Sequence, residues 1–374
     1  MSVILYLLGI LLTFYILYVV VDIFLIPTIY LIKDKIGLTD DQTGALTSFV
    51  SSAPELSVSI ISLILAIRGN DESKFQEIAS LGPASVIGSA LFSVLFIVGA
   101  SAWFSGKQLT WHSITRDMMY YIFAVGSLFL TMRDGKIEWF EGFILLVLYG
   151  IYAVIVANWP KISQRFGIAG THIEPIDVVE DEAKLVHIRD TPLTAVNAIP
   201  KAISHLFFPL KNGFEGSKVV WNVLFAVFLV VVSSYYMVEW ASAFALALNI
   251  PKALVGLTIL AAGTSVPDLL ASVKTAREGY ADTAVTNAIG SNVFDVLGNL
   301  GLTWTIGALF RGFDKPIKID SAALDSSIIL LIASSVVLLL VLFAKKFNLS
   351  KALSITLMLS YVAYVAFLCL TVLK

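Results

Sequence analysis

Ten apolar runs, separated by polar segments, are the feature that most restricts how this chain can fold. A helix needs about 20 apolar residues to cross a hydrocarbon core about 30 Å thick, and nearly all of these runs approach or exceed that length. The first five runs are 4–32, 41–67, 79–103, 117–132 and 139–157, and the second five are 218–238, 253–275, 283–309, 324–344 and 351–373.

A longer polar segment between the two groups of five divides the chain into three parts. Residues 1–157 form a first five-helix repeat, 158–217 a linker loop and 218–374 a second five-helix repeat. Because five is odd, equivalent helices of the two repeats cross the membrane in opposite senses. The predicted fold is therefore an all-α polytopic membrane protein, with ten transmembrane helices arranged as two inverted five-helix repeats, as in many secondary transporters.

The composition agrees with this class and excludes several others. Hydrophobic residues make up 58% of the chain and charged residues 14%, against about 25% in soluble domains. A net charge of −2 without a basic tract gives no sign of nucleic-acid binding. A single cysteine, Cys369, excludes an intramolecular disulfide. Because the sequence contains no nucleotide-binding P-loop, HExxH or GxSxG motif, we predict no enzyme activity.

The flanks of the runs indicate location and orientation. No positive segment precedes the first run and no cleavage site follows it, so we interpret it as a transmembrane helix and not as a signal peptide. Lys and Arg are more frequent in the loops on the side of the linker, which by the positive-inside rule places the linker in the cytoplasm. We expect a multi-pass integral protein of the plasma membrane.

Two short motifs occur once in each repeat. SSAPE at 51–55 corresponds to TSVPD at 264–268, and GSALFS at 88–93 corresponds to GSNVFD at 290–295. A carboxylate at bilayer depth is costly, and a proline inside a helix removes a backbone hydrogen bond. Because the chain repeats both features in matching hydroxyl-rich settings, we predict a cation site in broken helices where the two repeats meet.

The predicted ligands of this site are all oxygen atoms. Residues three or four positions apart share a helix face, so the hydroxyls of each motif lie near its carboxylate. Pro54 and Pro267 cannot donate to the preceding turn, which frees backbone carbonyls. The candidates are the carboxylates of Glu55, Asp268 and Asp295, the hydroxyls of Ser51, Ser52, Ser89, Ser93, Thr264, Ser265 and Ser291, and the carbonyls of Ser48 and Ala261.

All-oxygen coordination favours hard cations such as Ca²⁺, Na⁺, K⁺ or Mg²⁺ over zinc or copper. Flexible ligands from several helices suit Ca²⁺ better than the strict octahedron that Mg²⁺ requires. The three ionised carboxylates would be neutralised by one Ca²⁺ with one monovalent ion, or by three Na⁺. Binding either set, but not both, is the physical basis of exchange.

Other polar residues of the runs have two interpretations each. Asp22 could lie on an ion pathway, or it could snorkel to the membrane edge or cap its helix there. Asn292 could bind a cation or form a hydrogen bond across a helix interface. Ser59 and Ser272, taken singly, are expected to hydrogen-bond to their own helices. The acidic segment 174–182 could be a solvated part of the linker or a regulatory ion site.

The motifs resemble those of the calcium/cation antiporter superfamily, above all its potassium-dependent sodium/calcium exchangers. The resemblance implies that Glu55 and Asp268 are central Ca²⁺ ligands shared with Na⁺, and that Asp295 occupies a position linked to K⁺ dependence. It is carried by SSAPEL at 51–56, GSALF at 88–92, AAGTSVPDL at 261–269, GSNVFD at 290–295 and, upstream, residues 22–27 and 37–41.

The first repeat departs from the family pattern at three points. Val50 stands where the family has Gly, as Gly263 does in the second repeat, so we expect the first broken helix to be less open. Ser93 replaces an Asn. The spacing from Glu55 to Ser89 is eleven residues longer than that from Asp268 to Ser291, and we place the extra residues in a polar loop around 68–74.

The expected function is secondary antiport of Ca²⁺ against Na⁺, with K⁺ dependence left open. The alternatives are a Ca²⁺/H⁺ antiporter and a non-transporting cation-binding relative. Those proton-driven relatives tend to carry paired Glu residues, from which Asp268 and Asp295 differ. We expect no cofactor, with the cations as substrates and the lipid bilayer as the surroundings; the oligomeric state stays open.

Overall fold

The computed structural model describes the chain over eleven stretches, and the statements below concern these residues. It is almost wholly helical, so the predicted all-α class is confirmed, with two strands of two residues each as the exception. The described residues are 3–26, 28–29, 32, 49–69, 72–105, 109, 111–165, 216–277, 279, 281–348 and 350–372.

Within the described residues, the helices of the first half follow the predicted runs, with two corrections at their ends, and 41–48 of the second run lies outside these residues. The fourth run is predicted to begin at 117, but its helix begins at Trp111 and has 22 residues. The predicted polar loop around 68–74 is helical from Glu72 onward. The helices are α1 (Val3–Val19), α2 (Ala53–Arg68), α3 (Glu72–Ala79), α4 (Leu81–Leu91), α5 (Val98–Ser105), α6 (Trp111–Met132), α7 (Trp139–Ala157) and α8 (Trp159–Arg165), with π-helical segments at Val20–Leu25 and Phe92–Ile97.

The second half begins with a longer helix than predicted, because the sixth run continues past 238 to Leu248. A bend of 42° then separates Lys252–Thr264 from Val266–Arg277. The helices are α9 (Gly216–Leu248), α10 (Lys252–Val255), α11 (Ala261–Thr264), α12 (Val266–Arg277), α13 (Ala281–Val293), α14 (Leu300–Arg311), α15 (Ser321–Ala344) and α16 (Lys351–Val372), with π-helical segments at Gly256–Leu260 and Phe294–Asn299.

Six of the described helices are long and apolar enough to cross a membrane, and the bent pair around Ser265 makes a possible seventh. The chain is therefore an all-α membrane protein. These candidate spans are Lys74–Phe104, Trp139–Ala157, Val219–Leu248, Ala281–Arg311, Leu324–Ala344 and Lys351–Leu370.

At one end of the helices, which we call the ribbon end, connecting segments from both halves are joined. The strands β1 (Lys136–Ile137) and β2 (Ile317–Lys318) pair antiparallel there. Gln76 Nε2 donates to the Ile319 carbonyl at 2.8 Å, and the Asp320 N–H donates to Ser80 Oγ at 2.8 Å. The residues that follow α2 therefore contact the segment that follows α14.

At the other end, which we call the linker end, a second set of contacts joins the helix termini. The Leu109 N–H donates to the Phe347 carbonyl at 2.9 Å. The Arg277 guanidinium lies over the Phe104 ring at 4.1 Å. Because the elements from α3 to α5 follow one another as a single candidate span, Lys74–Phe104, of 31 residues, the ribbon and linker ends are separated by roughly 45 Å at 1.5 Å per residue.

The two halves come into close backbone contact where α4 crosses the π-helical segment Gly256–Leu260. A Cβ atom placed on Gly88 would lie 2.3 Å from the Leu257 carbonyl oxygen and 2.6 Å from Ala261 Cβ. Only glycine permits this approach of two helix backbones. The crossing brings the Gly-Ser motif of the first half beside the Pro–carboxylate motif of the second.

Candidate functional site

The two Pro–carboxylate motifs adopt the same backbone geometry. The helix is interrupted at Ser52, with φ −83° and ψ 6°, and at Ser265, with φ −88° and ψ 1°. It restarts in the same way, because the Leu56 N–H donates to the Ser52 carbonyl at 3.0 Å and the Leu269 N–H donates to the Ser265 carbonyl at 3.0 Å. The repeated sequence therefore builds a repeated break.

Each proline lies in the first turn of the new helix segment, as Pro54 does in α2 and Pro267 in α12. The proline therefore stands where the interrupted helix restarts, and its missing N–H costs no hydrogen bond there, since first-turn N–H groups have no intrahelical acceptor in any case. Glu55 and Asp268 consequently occupy the third helical position. The positive end of each helix dipole partly offsets the charge of its carboxylate.

The motifs of the two halves lie against one another. Ser89 Oγ and Ser265 Oγ, one from each half, are 2.8 Å apart and both buried. Three further pairs interact electrostatically across the halves, and each joins a hydroxyl of one motif to a carboxylate of the other. They are Ser51 with Asp268, Ser52 with Asp295, and Thr264 with Glu55.

The three carboxylates are buried together. The exposed fraction is 0% for Glu55, 5% for Asp268 and 1% for Asp295, and all three lie within electrostatic range of one another. Both Glu55 oxygens and the Oδ1 atoms of Asp268 and Asp295 form no hydrogen bond among the described residues. Like charges without partners in an apolar interior are strongly unfavourable, and a bound cation would remove that cost.

Carboxylates alone do not complete a metal site here. No group of three or more Asp, Glu, His or Cys side chains in the described ranges is arranged to hold a metal ion. A cation between the two halves would therefore need hydroxyl and carbonyl oxygens as well. Such mixed oxygen ligation is typical of Ca²⁺ and the alkali ions.

The remaining predicted ligands differ in how far they are engaged. Ser52 and Ser93 are buried, and neither hydroxyl has a hydrogen-bond partner in the described part of the chain. Ser291 Oγ donates to the Ala288 carbonyl at 3.3 Å. The Ala261 carbonyl accepts a 3.3 Å hydrogen bond from the Ser265 N–H and a 3.4 Å one from Thr264 Oγ1, so a cation that bound it would have to displace the hydroxyl. Ser48 lies outside the described residues.

The residues with two interpretations are partly clarified. Ser59 and Ser272 were expected to bond to their own helices, but neither buried hydroxyl has a partner among the described residues. Asn292 is buried, and its side-chain nitrogen and oxygen likewise form no hydrogen bond there. The Asp22 side chain and the acidic segment 174–182 lie outside the described part of the chain.

The asymmetry at Val50 and Gly263 has a packing explanation. A Cβ atom on Gly263 would lie 2.0 Å from the ring of Phe14 in α1, so this position has no room for a side chain. Val50 keeps its side chain and packs against the hydrophobic cluster of α1 and α9. In the second motif, Phe14 of α1 therefore occupies the space beside Gly263. In the first motif, the equivalent position carries the Val50 side chain.

Sequence reasoning missed polar residues that continue the second Gly-Ser motif. Asn299 and Thr303 follow Asp295 at intervals of four, and both are buried. Tyr121 in α6 is buried within electrostatic range of Asp295. The i, i+4 spacing from Ser291 through Thr303 is visible in the sequence and could have identified the two helix residues. No sequence pattern links Tyr121 to the site.

Comparison with known proteins places this arrangement in a family context. The model of the family described as "Sodium/calcium exchanger protein" matches residues 6–158 and 218–370. Two similar human proteins are sodium/potassium/calcium exchanger 4, 25% identical with 98% of this chain and 81% of the relative covered, and sodium/potassium/calcium exchanger 5, 26% identical with 96% and 82% covered.

Solved structures show the same fold. An H⁺/Ca²⁺ exchanger, CAX, superposes with a TM-score of 0.63 at 15% identity, covering 96% of this chain and 79% of that one. The sodium-calcium exchanger NCX_Mj superposes with a TM-score of 0.55 at 20% identity, covering 98% and 99%. At these identities the likeness establishes the fold and leaves the transported ions open.

Proposed function

Because this chain belongs to the sodium/calcium exchanger family of the calcium/cation antiporters, we propose that it is a secondary antiporter that moves Ca²⁺ across the membrane in exchange for Na⁺. The observation that carries the proposal is the buried group of Glu55, Asp268 and Asp295 at the contact of the two halves, with carboxylate oxygens that have no partner in the described residues. Transporters, rather than enzymes, make up this family.

The charge of the site supports exchange rather than simple binding. Three ionised carboxylates are neutralised by one Ca²⁺ with one monovalent ion, or by three Na⁺. Either set would relieve the repulsion between buried like charges, whereas both together would overcharge the site. The predicted ligands in both motifs would therefore hold Ca²⁺ and Na⁺ alternately. No cofactor enters this scheme.

We further propose ten membrane crossings arranged as two inverted repeats, with the boundaries 1–157, 158–217 and 218–374. Pairing of β1 with β2 supports this count. Paired strands must lie on one side of a membrane, so the chain between them must cross it an even number of times. Four crossings, by α7, α9, α10–α12 and α13–α14, meet this condition, whereas a re-entrant α10–α12 would leave three.

The linker end gives a second check on the same topology. The Leu109–Phe347 hydrogen bond joins segments separated by six proposed crossings, which is again an even number. A family model that matches 6–158 and 218–370, two segments of equal length, supports two related halves. Inverted halves around one midplane site would allow access from each side in turn. We place the protein in the plasma membrane with the linker in the cytoplasm.

The test is ⁴⁵Ca²⁺ uptake into proteoliposomes that contain the purified protein, under an imposed Na⁺, H⁺ or K⁺ gradient. We expect uptake driven by an outward Na⁺ gradient and abolished by collapsing it. A K⁺ requirement added to that of Na⁺ would extend the proposal to K⁺ as a third ion. Uptake driven by a pH gradient alone would replace Na⁺ with H⁺, and Ca²⁺ binding without uptake under any gradient would contradict antiport.

A further inference from the structure

The polar face that carries Asp295 continues toward the ribbon end through Asn299 and Thr303. Both residues are buried, with exposed fractions of 0% and 2%. Thr303 Oγ1 donates to Asn299 Oδ1 at 3.4 Å, so the amide nitrogen points away from Thr303. That nitrogen forms no hydrogen bond in the described ranges. It lies near enough to the Asp295 carboxylate to interact with it.

A buried amide nitrogen without a partner is unfavourable, and so is a buried carboxylate oxygen without one. Asp295 Oδ1 is such an oxygen. A small side-chain rotation would let Asn299 donate to the carboxylate, and a hydrogen bond to an ionised acceptor is stronger than one between neutral groups. The two unsatisfied groups are thus complementary neighbours four residues apart on one helix.

The first half has no counterpart of this pair. Counted from the Gly-Ser motifs, Asp295 corresponds to Ser93, Asn299 to Ile97 and Thr303 to Ser101. Both π-helical segments begin at the equivalent phenylalanine, Phe92 or Phe294. The backbone is therefore matched, and an amide donor beside the ligand position occurs in the second half alone.

We propose that Asn299, oriented by Thr303, is a positioning residue that donates to one oxygen of Asp295 and presents the other to the bound monovalent cation. The inference rests on the proposed exchange function and assigns Asn299 a place in it. A partner that holds a ligating carboxylate fixes its orientation, and loss of such a partner typically weakens ion binding by about 10- to 100-fold. Asn299 is four residues from Asp295 on one helix, whereas the residues at that spacing from Glu55 and Asp268 are the serines Ser59 and Ser272, so we expect the effect of losing the amide to fall on the ion beside Asp295.

The experiment measures exchange in proteoliposomes as a function of Na⁺, K⁺ and Ca²⁺ concentration for two variants. Asn299→Leu removes the donor at similar volume and makes the second half resemble Ile97. We expect the half-saturating concentration of the monovalent ion to rise about tenfold or more, and that of Ca²⁺ to change less than about twofold. Thr303→Val removes only the hydroxyl that orients Asn299. We therefore expect the half-saturating concentration of the monovalent ion to rise by a smaller factor.

The matched control is Thr305→Val on the same helix, since Thr305 Oγ1 donates to the Gly301 carbonyl at 2.7 Å, apart from the polar face. It should leave the ion dependence unchanged. Normal monovalent dependence in both Asn299→Leu and Thr303→Val would overturn the inference, and so would equal shifts for Ca²⁺ and the monovalent ion. If the wild-type protein transports nothing, the proposed function fails. Calorimetric titration of wild type and variants with Na⁺ and K⁺ then decides separately whether Asn299 affects the affinity for these ions.

Discussion

The two halves of this protein share a backbone but differ in charge. The helix breaks at Ser52 and Ser265 have nearly the same dihedral angles, and the π-helical segments start at equivalent positions. To the site at their contact, the first half contributes one buried carboxylate, Glu55, whereas the second contributes two, Asp268 and Asp295. The duplicated scaffold therefore carries a site that is not duplicated.

Under the proposed function, this difference would give the two halves separate tasks. Glu55 and Asp268 occupy equivalent positions in the restarted helices and face one another across the contact, which suits a shared divalent ion. Asp295 has no carboxylate opposite it, because the equivalent residue is Ser93. We therefore expect variants of Glu55 and Asp268 to change ion transport in the same way. Variants of Ser93 and Asp295 should change it differently.

The largest effect is expected from Glu55→Gln and Asp268→Asn, each of which removes one negative charge that would bind the shared ion. Loss of one partner of a buried charge pair costs about 2 to 5 kcal/mol, or at least roughly 30-fold in Ca²⁺ affinity. Both variants should abolish ⁴⁵Ca²⁺ uptake and keep or raise the melting temperature, since a buried like charge disappears. Glu77→Gln is the control, because this half-exposed carboxylate pairs with Lys252 at the ribbon end. Uptake retained by either site variant would contradict the equivalence of the two motifs.

Asp295→Ser makes the second half resemble the first at this position. We expect the half-saturating concentration of the monovalent ion to rise about tenfold or more, equivalent to about 1.4 kcal/mol, with a smaller change for Ca²⁺. Flux measured at varied Na⁺ and K⁺ checks this, with Ser93→Ala as the comparison from the first half. Identical ion dependence in wild type and Asp295→Ser would remove the proposed division of tasks.

An intermediate effect, on stability, is expected where Phe14 packs on the second motif. Gly263→Ala places a Cβ atom inside the ring, and such overpacking costs about 1 to 3 kcal/mol. Thermal unfolding should show a lower melting temperature, and combination with Phe14→Ala should lose less than the sum of the two single changes. Val50→Gly, at the equivalent position, destabilises by another route, through lost packing of its partly buried side chain and through chain entropy, so Phe14→Ala should not offset it. An equal offset by Phe14→Ala at both positions would show that α1 does not distinguish the halves.

The sequence predicts the helices and both motifs because each has a local signal. Apolar runs mark helices, and the pair Pro–Glu or Pro–Asp marks a break that the backbone shows at Ser52 and Ser265. Contacts between distant residues have no such signal. Phe14 over Gly263 and Tyr121 near Asp295 depend on how helices pack, and the helical start of α3 at Glu72 lies in a segment whose composition is typical of a loop. The orientation of Asn299 depends on Thr303, which only the three-dimensional arrangement reveals.

The smallest effect concerns the hydrogen bond between Ser89 and Ser265, which joins the two halves at the candidate site. In a double-mutant cycle of Ser89→Ala and Ser265→Ala, we expect a coupling of about 0.5 to 1.5 kcal/mol in Ca²⁺ binding, measured by calorimetry. Ser85→Ala is the matched control, because Ser85 lies one turn earlier on α4 and its hydroxyl has no partner among the described residues. Ser85→Ala with Ser265→Ala should therefore be additive. Additivity in the Ser89–Ser265 cycle as well would mean that the two hydroxyls bind the ion independently, and that the halves are joined at the site through the cation rather than through each other.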